Sequence, residues 1–153
     1  MVKESDLSEA SRNSFLTQYT FEVFDDRPWT EPPVKSDRRV AIVSTAAIHA
    51  PEDRPFGFGA YDSRTFPRSQ RQFLCSHNSV NWDRTGMMRD INVAYPIDRL
   101  EEICEEGDIG SVADQHYAFN GGTDDVTRYE THARRAAAAM KADGVNTVVL
   151  VPV

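Results

Sequence analysis

The sequence predicts a small α/β domain with a mostly parallel, doubly wound sheet of the Rossmann or flavodoxin-like kind and helices on both faces. Three observations carry this. The runs Val40 to Val43 and Thr147 to Val151 are apolar without alternation, as strands buried on both faces are. Between them lie two segments of helical periodicity. The second ends at Asp143 and Gly144 and passes at once into Thr147 to Val151, the helix-to-strand step of a parallel sheet.

Residues 1–36 mix polar residues with Phe15, Tyr19, Phe21, Phe24 and Trp29 and break at Pro32 and Pro33. They read as an N-terminal arm packing its aromatic side chains onto a single α/β domain, residues 37–153. Arg39 to Ser44 is the first strand. From Ala50 to Ser69, Pro51, Pro55, Gly57, Gly59 and Pro67 predict an extended loop. Gln72 to Cys75 and Ile91 to Tyr95 read as short strands, the latter stopped by Pro96. Ile97, Leu100, Ile103 and Cys104 recur at helical spacing, with Gly107 as the stop. After a loop holding Gly121 and Gly122, Thr123 caps a longer helix with Val126, Tyr129, Ala133, Ala136, Ala137 and Met140 in one stripe.

With 153 residues one core suffices, and 40% hydrophobic and 27% charged residues are ordinary globular values. A net charge of −7 argues against nucleic acid and anionic membranes as partners. The acidic, polar start and the lack of a spanning apolar run predict a cytoplasmic location. Two cysteines, Cys75 and Cys104, fit a reducing compartment.

In doubly wound sheets ligands gather beyond the carboxyl ends of strands. That rule singles out Ser44 to His49, Cys75 to His77, and the strand end Pro152 and Val153. Val148 to Val153 is an unusually apolar place for a chain to finish; it is either an edge strand or a central strand whose site-building loop follows. His77 is the first acid/base candidate, since imidazole titrates near neutral pH; the alternative is a loop histidine making one structural hydrogen bond. His116 beside Tyr117 is the second, against a packing role. Cys75, two residues from His77, reads either as a nucleophile or as a buried, inert thiol. His49, Arg84, Asn92 and Tyr117 are candidate substrate contacts, Arg84 through its bidentate fork. Cys104 reads as core, and no closely spaced ligand motif predicts a metal.

The stretch Cys75 to Val153 resembles the selenoprotein B family of the glycine, sarcosine, betaine and D-proline reductases, above all its short stand-alone members. The likeness is carried by Ser76 and His77, by Asp83 and Arg84, and by the run Asp90, Ile91, Asn92, Val93, Pro96, Ile97, Asp98, Arg99 and Leu100. Gly107, Ile109, Gly110, His116, Tyr117 and Phe119 continue it, as do Lys141 to Val145 and Val149 to Val153. Upstream, Val40 to Thr45, His49 and Arg54 to Phe56 match the family's first strand and loop. Where the family has a histidine shortly before the Asp83 position, this chain has Asn81 and Trp82. Where it has Ser after the His-Tyr pair, Ala118 stands.

The resemblance implies a reductase in which a selenolate or thiolate placed just after Val153 attacks carbon and reductively displaces a leaving group. It implies a selenocysteine or cysteine that this chain does not contain, as if it were read to a UGA codon taken for a stop. No bound cofactor is expected. The larger reductases activate the amine through a pyruvoyl group on another subunit, which nothing here supplies. The implied partners are a small amine or carboxylate substrate and a thioredoxin-like reductant or reductase subunit. The competing reading is a non-catalytic α/β module that binds a small ligand or docks on a reductase complex.

Overall fold

The computed structural model describes residues 4–18, 25, 29–79, 82–122 and 125–153, with the side chains of 4 and 14–18 excepted. They form two compact units, Met1–Glu31 and Pro32–Val153. In the first, a 3-10 turn (Glu4–Asp6) precedes α1 (Glu9–Gln18). Ser8 starts this helix: its Oγ accepts the Ser11 N–H at 3.1 Å, satisfying a donor that the first turn leaves without an intrahelical partner. Of the aromatic arm, Tyr19, Phe21, Phe24 and the Phe15 side chain lie outside the described residues, and Trp29 is exposed.

The second unit contains, in chain order, β1 (Arg39–Ser44), β2 (Ile48–His49), β3 (Ser63–Pro67), β4 (Leu74–Cys75), α2 (Thr85–Arg89), α3 (Ile97–Glu105), β5 (Ser111–Val112), β6 (Gln115–Phe119), α4 (Glu130–Ala142) and β7 (Thr147–Val151). β1 is the axis. β7 runs parallel along one edge from Val40 to Ser44. The other edge is shared in succession by β5, at Arg39 and Val40, and β6, at Val43 and Ser44, both parallel. β3 adds to β6 antiparallel, and β2 and β4 make a separate antiparallel ribbon.

Alternation along β1 assigns the two faces. Val40 and Ile42 pack with Ile97 and Leu100 of α3, Phe66, Tyr95 and Val112 in the main core. Val43 turns the other way, to Tyr117, Phe119, Ala136 and Met140 beneath α4. Helices therefore cover both faces of an α/β fold, as predicted. α3 ends where expected, at Gly107, whose φ of +80° is the left-handed backbone that favours glycine at a helix stop.

Several expectations are corrected. The sheet is mixed, because β3 joins it antiparallel, and it is not the mostly parallel doubly wound sheet predicted. Of the two readings of β7, the described residues give the edge strand and not the central one: among them β1 alone pairs with it, and Leu150 is 72% exposed. The predicted loop 50–69 contains β3, and the stretch between α3 and Gly121 contains β5 and β6. Ile91 to Tyr95 forms a 3-10 turn (Ile91–Val93) instead of a strand, because the Asp90 carboxylate accepts the Asn92 N–H and starts a turn. In the last helix Thr123 and Asp124 lie outside the described residues. A 3-10 turn (Val126–Tyr129) leads into α4, and of the predicted stripe Ala136 is buried, Tyr129 and Met140 are half-buried, and Val126, Ala133 and Ala137 are exposed. Among the described residues no helix is long and apolar enough to cross a membrane.

Candidate functional site

The carboxyl ends of β1, β6 and β7 come together at Thr45, Asn120 to Gly122, and Val153. Thr45 joins them. Its N–H donates to the Val151 carbonyl at 3.1 Å, its carbonyl accepts the Gly121 N–H at 2.8 Å, and its Oγ1 accepts the Val153 N–H at 2.9 Å. Beyond Thr45, Ala47 adopts φ +50°, a left-handed conformation costing roughly 1–2 kcal/mol for a residue with a Cβ. Bonds from Ala47 N–H to Phe119 O and from Ser76 N–H to Ala47 O hold it there. This bend turns β1 into the ribbon whose other strand delivers His77.

The His77 ring is buried against the Gly121–Gly122 backbone. A Cβ on Gly121 would stand 3.1 Å from His77 Nε2 and 3.0 Å from the Thr45 carbonyl oxygen, so the close approach requires glycine. His77 Nδ1 accepts the Ser79 N–H at 3.1 Å. A neutral ring thus carries its proton on Nε2. Burial, and secondarily the Arg84 guanidinium, lower the His77 pKa below the ordinary 6.5 and keep the ring neutral at pH 7. Nε2 has no partner among the described residues. Trp82 packs edge-on against the ring at 4.9 Å.

Two clefts open on either side of Gly121 and Gly122. One, of about 330 Å3, is bounded by Thr45, Phe119, Val126, Tyr129 and Val153. The other, of about 140 Å3, lies between Phe58, Tyr61, Asn78, Asn120 and Tyr129. Tyr129 donates its hydroxyl proton to the Asn120 carbonyl, while the buried Asn120 Oδ1 accepts nothing among the described residues. The junction thus presents a donor, His77 Nε2–H, and an acceptor, Asn120 Oδ1, both withdrawn from water. Such groups favour a ligand that completes them, because an unmet buried polar group costs roughly 1–3 kcal/mol.

The other sequence candidates are spread around the fold. Cys75 is half-buried, its Sγ donating to the Ala46 carbonyl at 3.4 Å, and it lines a separate cleft of about 490 Å3 with Arg84, Met87 and Ile91. Arg84 donates to the His77 and Ser79 carbonyls at 2.6 and 2.8 Å, bracing the loop that holds His77. Asn92 has both amide groups engaged: Nδ2 donates to Asp90 and Asp98, and Oδ1 accepts the Asp98 N–H, an orphan donor of the first turn of α3. The run that most strongly suggested the reductase family is therefore a brace for the entry to α3.

His116 lies inside the sheet. Its Nδ1 accepts the Ile42 N–H at 3.0 Å, filling the gap in the ladder where β5 hands over to β6. Burial lowers its pKa to about 4. Tyr117, on the opposite face, packs beneath α4, where burial raises its pKa. Cys104 packs at the margin of the main core. His49 is buried with both ring nitrogens engaged, by Ala50 and Ser76. Among the described residues no three His, Cys, Asp or Glu side chains gather as a metal would need. Of the candidates, His77 and Val153 meet at the junction. Thr45, Asn120, Gly121 and Tyr129 were not singled out individually; the Gly-Gly pair just before the last helix was the available signal.

The sequence pattern of the glycine/sarcosine/betaine reductase selenoprotein B family matches residues 7–153. The D-proline reductase subunit gamma of Acetoanaerobium sticklandii is 31% identical over 134 residues, 80% of this chain and 54% of that protein. The sarcosine reductase complex component B subunit beta of Peptoclostridium acidaminophilum is 28% identical, over 94% of this chain and 35% of that protein. The glycine reductase complex component B subunit gamma of Carboxydothermus hydrogenoformans is 25% identical, with the same shares. The chain thus spans between a third and about half of the length of these relatives. No solved structure matches it significantly. On the match of 7–153, the chain belongs to the glycine/sarcosine/betaine reductase selenoprotein B family.

Proposed function

We propose that this chain is the scaffold of a selenol- or thiol-dependent reductase component whose reaction takes place at the junction of β1, β6 and β7. One observation carries the reading: the buried His77 Nε2–H, without a partner among the described residues, is held against Gly121 beside Thr45, and Thr45 in turn binds the Val153 N–H. A selenolate or thiolate following Val153 would supply the electron pair that displaces the leaving group from carbon. A thiol of a thioredoxin-like reductant or reductase subunit would then attack the selenium or sulfur of the adduct, the carbon leaving with a proton as product. The reductant's second thiol would reduce the resulting selenosulfide or disulfide and restore the nucleophile.

The chain's own residues fit that chemistry. His77 is neutral, so its Nε2–H serves the departing group as a fixed hydrogen-bond donor and stabilises the charge that develops there; Ser79 fixes the tautomer and Arg84 holds the loop. The same neutral Nε2–H stabilises an anion arriving at the strand ends. Asn120 Oδ1 accepts from the substrate, favouring a small amine, and the aromatic walls of Tyr61 and Tyr129 exclude water.

The test uses the protein isolated from its native host. Mass spectrometry reads the residue after Val153 and the selenium content, and His77→Gln is compared with wild type in a substrate-reduction assay. Selenocysteine or cysteine at that position, with kcat lowered roughly 10²–10³-fold in the variant and KM little changed, supports the proposal. A native protein with no selenol or thiol there favours the alternative, a non-catalytic ligand-binding or docking module.

A further inference from the structure

The β2–β4 ribbon carries a second constellation on the face opposite Cys75 and His77. The antiparallel register sets His49 across from Leu74, and the Ser76 N–H to Ala47 carbonyl bond continues the ladder. Residues two apart share a face, so Ser76 comes to the side of His49. Ser76 Oγ stands 2.6 Å from His49 Nε2, and His49 Nδ1 stands 2.9 Å from the Ala50 carbonyl oxygen. A carbonyl only accepts, so the neutral ring carries its proton on Nδ1 and presents a lone pair at Nε2. The Ser76 hydroxyl is therefore the donor, its proton aimed into the imidazole.

The rest of the geometry suits a working pair. His49 is 2% exposed and its ring is set edge-on to Phe56 at 6.4 Å, so it cannot swing away. Ser76 itself is half-buried, less enclosed than its partner. The Ala50 carbonyl stands where a carboxylate stands in a serine triad: it fixes the tautomer, although a neutral dipole stabilises the imidazolium less.

We propose that Ser76 is an activated nucleophile with His49 as its general base, reacting with activated acyl esters. Ser76 Oγ bonds to the carbonyl carbon while its proton passes to His49 Nε2. The bond to the leaving oxygen then breaks as that oxygen takes the proton from His49. Water repeats the sequence on the acyl-serine and releases the acid, with no change of oxidation state. This site does not depend on the reductase reading, because Ser76 and His49 take no part in it.

The test is adduct mapping on the full chain with a fluorophosphonate and, separately, p-nitrophenyl acetate. Peptide mass spectrometry ranks Ser76 against the exposed Ser69 in the same sample. The expected result is one adduct per chain at Ser76, formed at least about 100-fold faster than at Ser69, and slowed by a similar factor in His49→Gln. A Ser76 no faster than Ser69 overturns the proposal, and so does a folded His49→Gln variant that labels at the wild-type rate. If that variant does not fold, the wild-type ranking alone decides.

Discussion

His116 makes acid stability a quantitative test of the fold. In the unfolded chain its imidazole has a pKa near 6.5; in the sheet burial lowers it to about 4. Between these values the unfolded state binds the extra proton, so stability is full above pH 6.5 and is lost as pH falls toward 4. A shift of about 2.5 units corresponds to a loss of about 2 kcal/mol between pH 7 and pH 5 and about 3 kcal/mol by pH 4. His77, lowered in the same direction, adds to the slope. His116→Gln isolates the effect, since its amide oxygen can still accept the Ile42 N–H but does not titrate. Urea unfolding of both proteins at half-unit steps from pH 7 to pH 4.5 gives the two slopes. The variant is expected to start less stable and to lose about 2 kcal/mol less over that range. Parallel curves would refute the argument that the ring is held neutral in the sheet.

Two further outcomes follow from close approaches and exposure. Gly121→Ala forces a Cβ to about 3 Å from Thr45 O and His77 Nε2; it should cost roughly 1–3 kcal/mol in urea unfolding and shift the His77 ring resonances, and a change below about 0.5 kcal/mol would contradict the packing. Iodoacetamide applied to the folded protein should modify Cys75, which lines an open cleft, well before Cys104; equal protection of both removes Cys75 as a reactive thiol.

Local patterning alone determined a good deal of this protein. Four apolar residues in a row made β1, the 3–4 spacing from Ile97 to Cys104 with Gly107 after it made α3, and the small-residue helix ending at Asp143 and Gly144 led into β7. The run from Asp90 to Leu100 named the family, and the strand-end rule pointed to His77 and Val153. These signals are legible because they depend on neighbours three or four positions away. Only the tertiary structure decided the rest. Gln115 to Phe119 shows no clean alternation, since its buried residues serve two cores, so β6 was hidden until β1 and β3 stood on either side of it. The apolar run of β7 reads as central from composition, yet pairing leaves one of its edges open. His116, His77 and His49 are the same side chain in the sequence. Long-range partners separate them: the Ile42 N–H makes the first a rung of the sheet, Gly121 and Arg84 hold the second at the strand ends, and Ser76, 27 residues along the chain, sets its hydroxyl against the third. What an imidazole does depends on which atoms face its two nitrogens, and that is settled by folding.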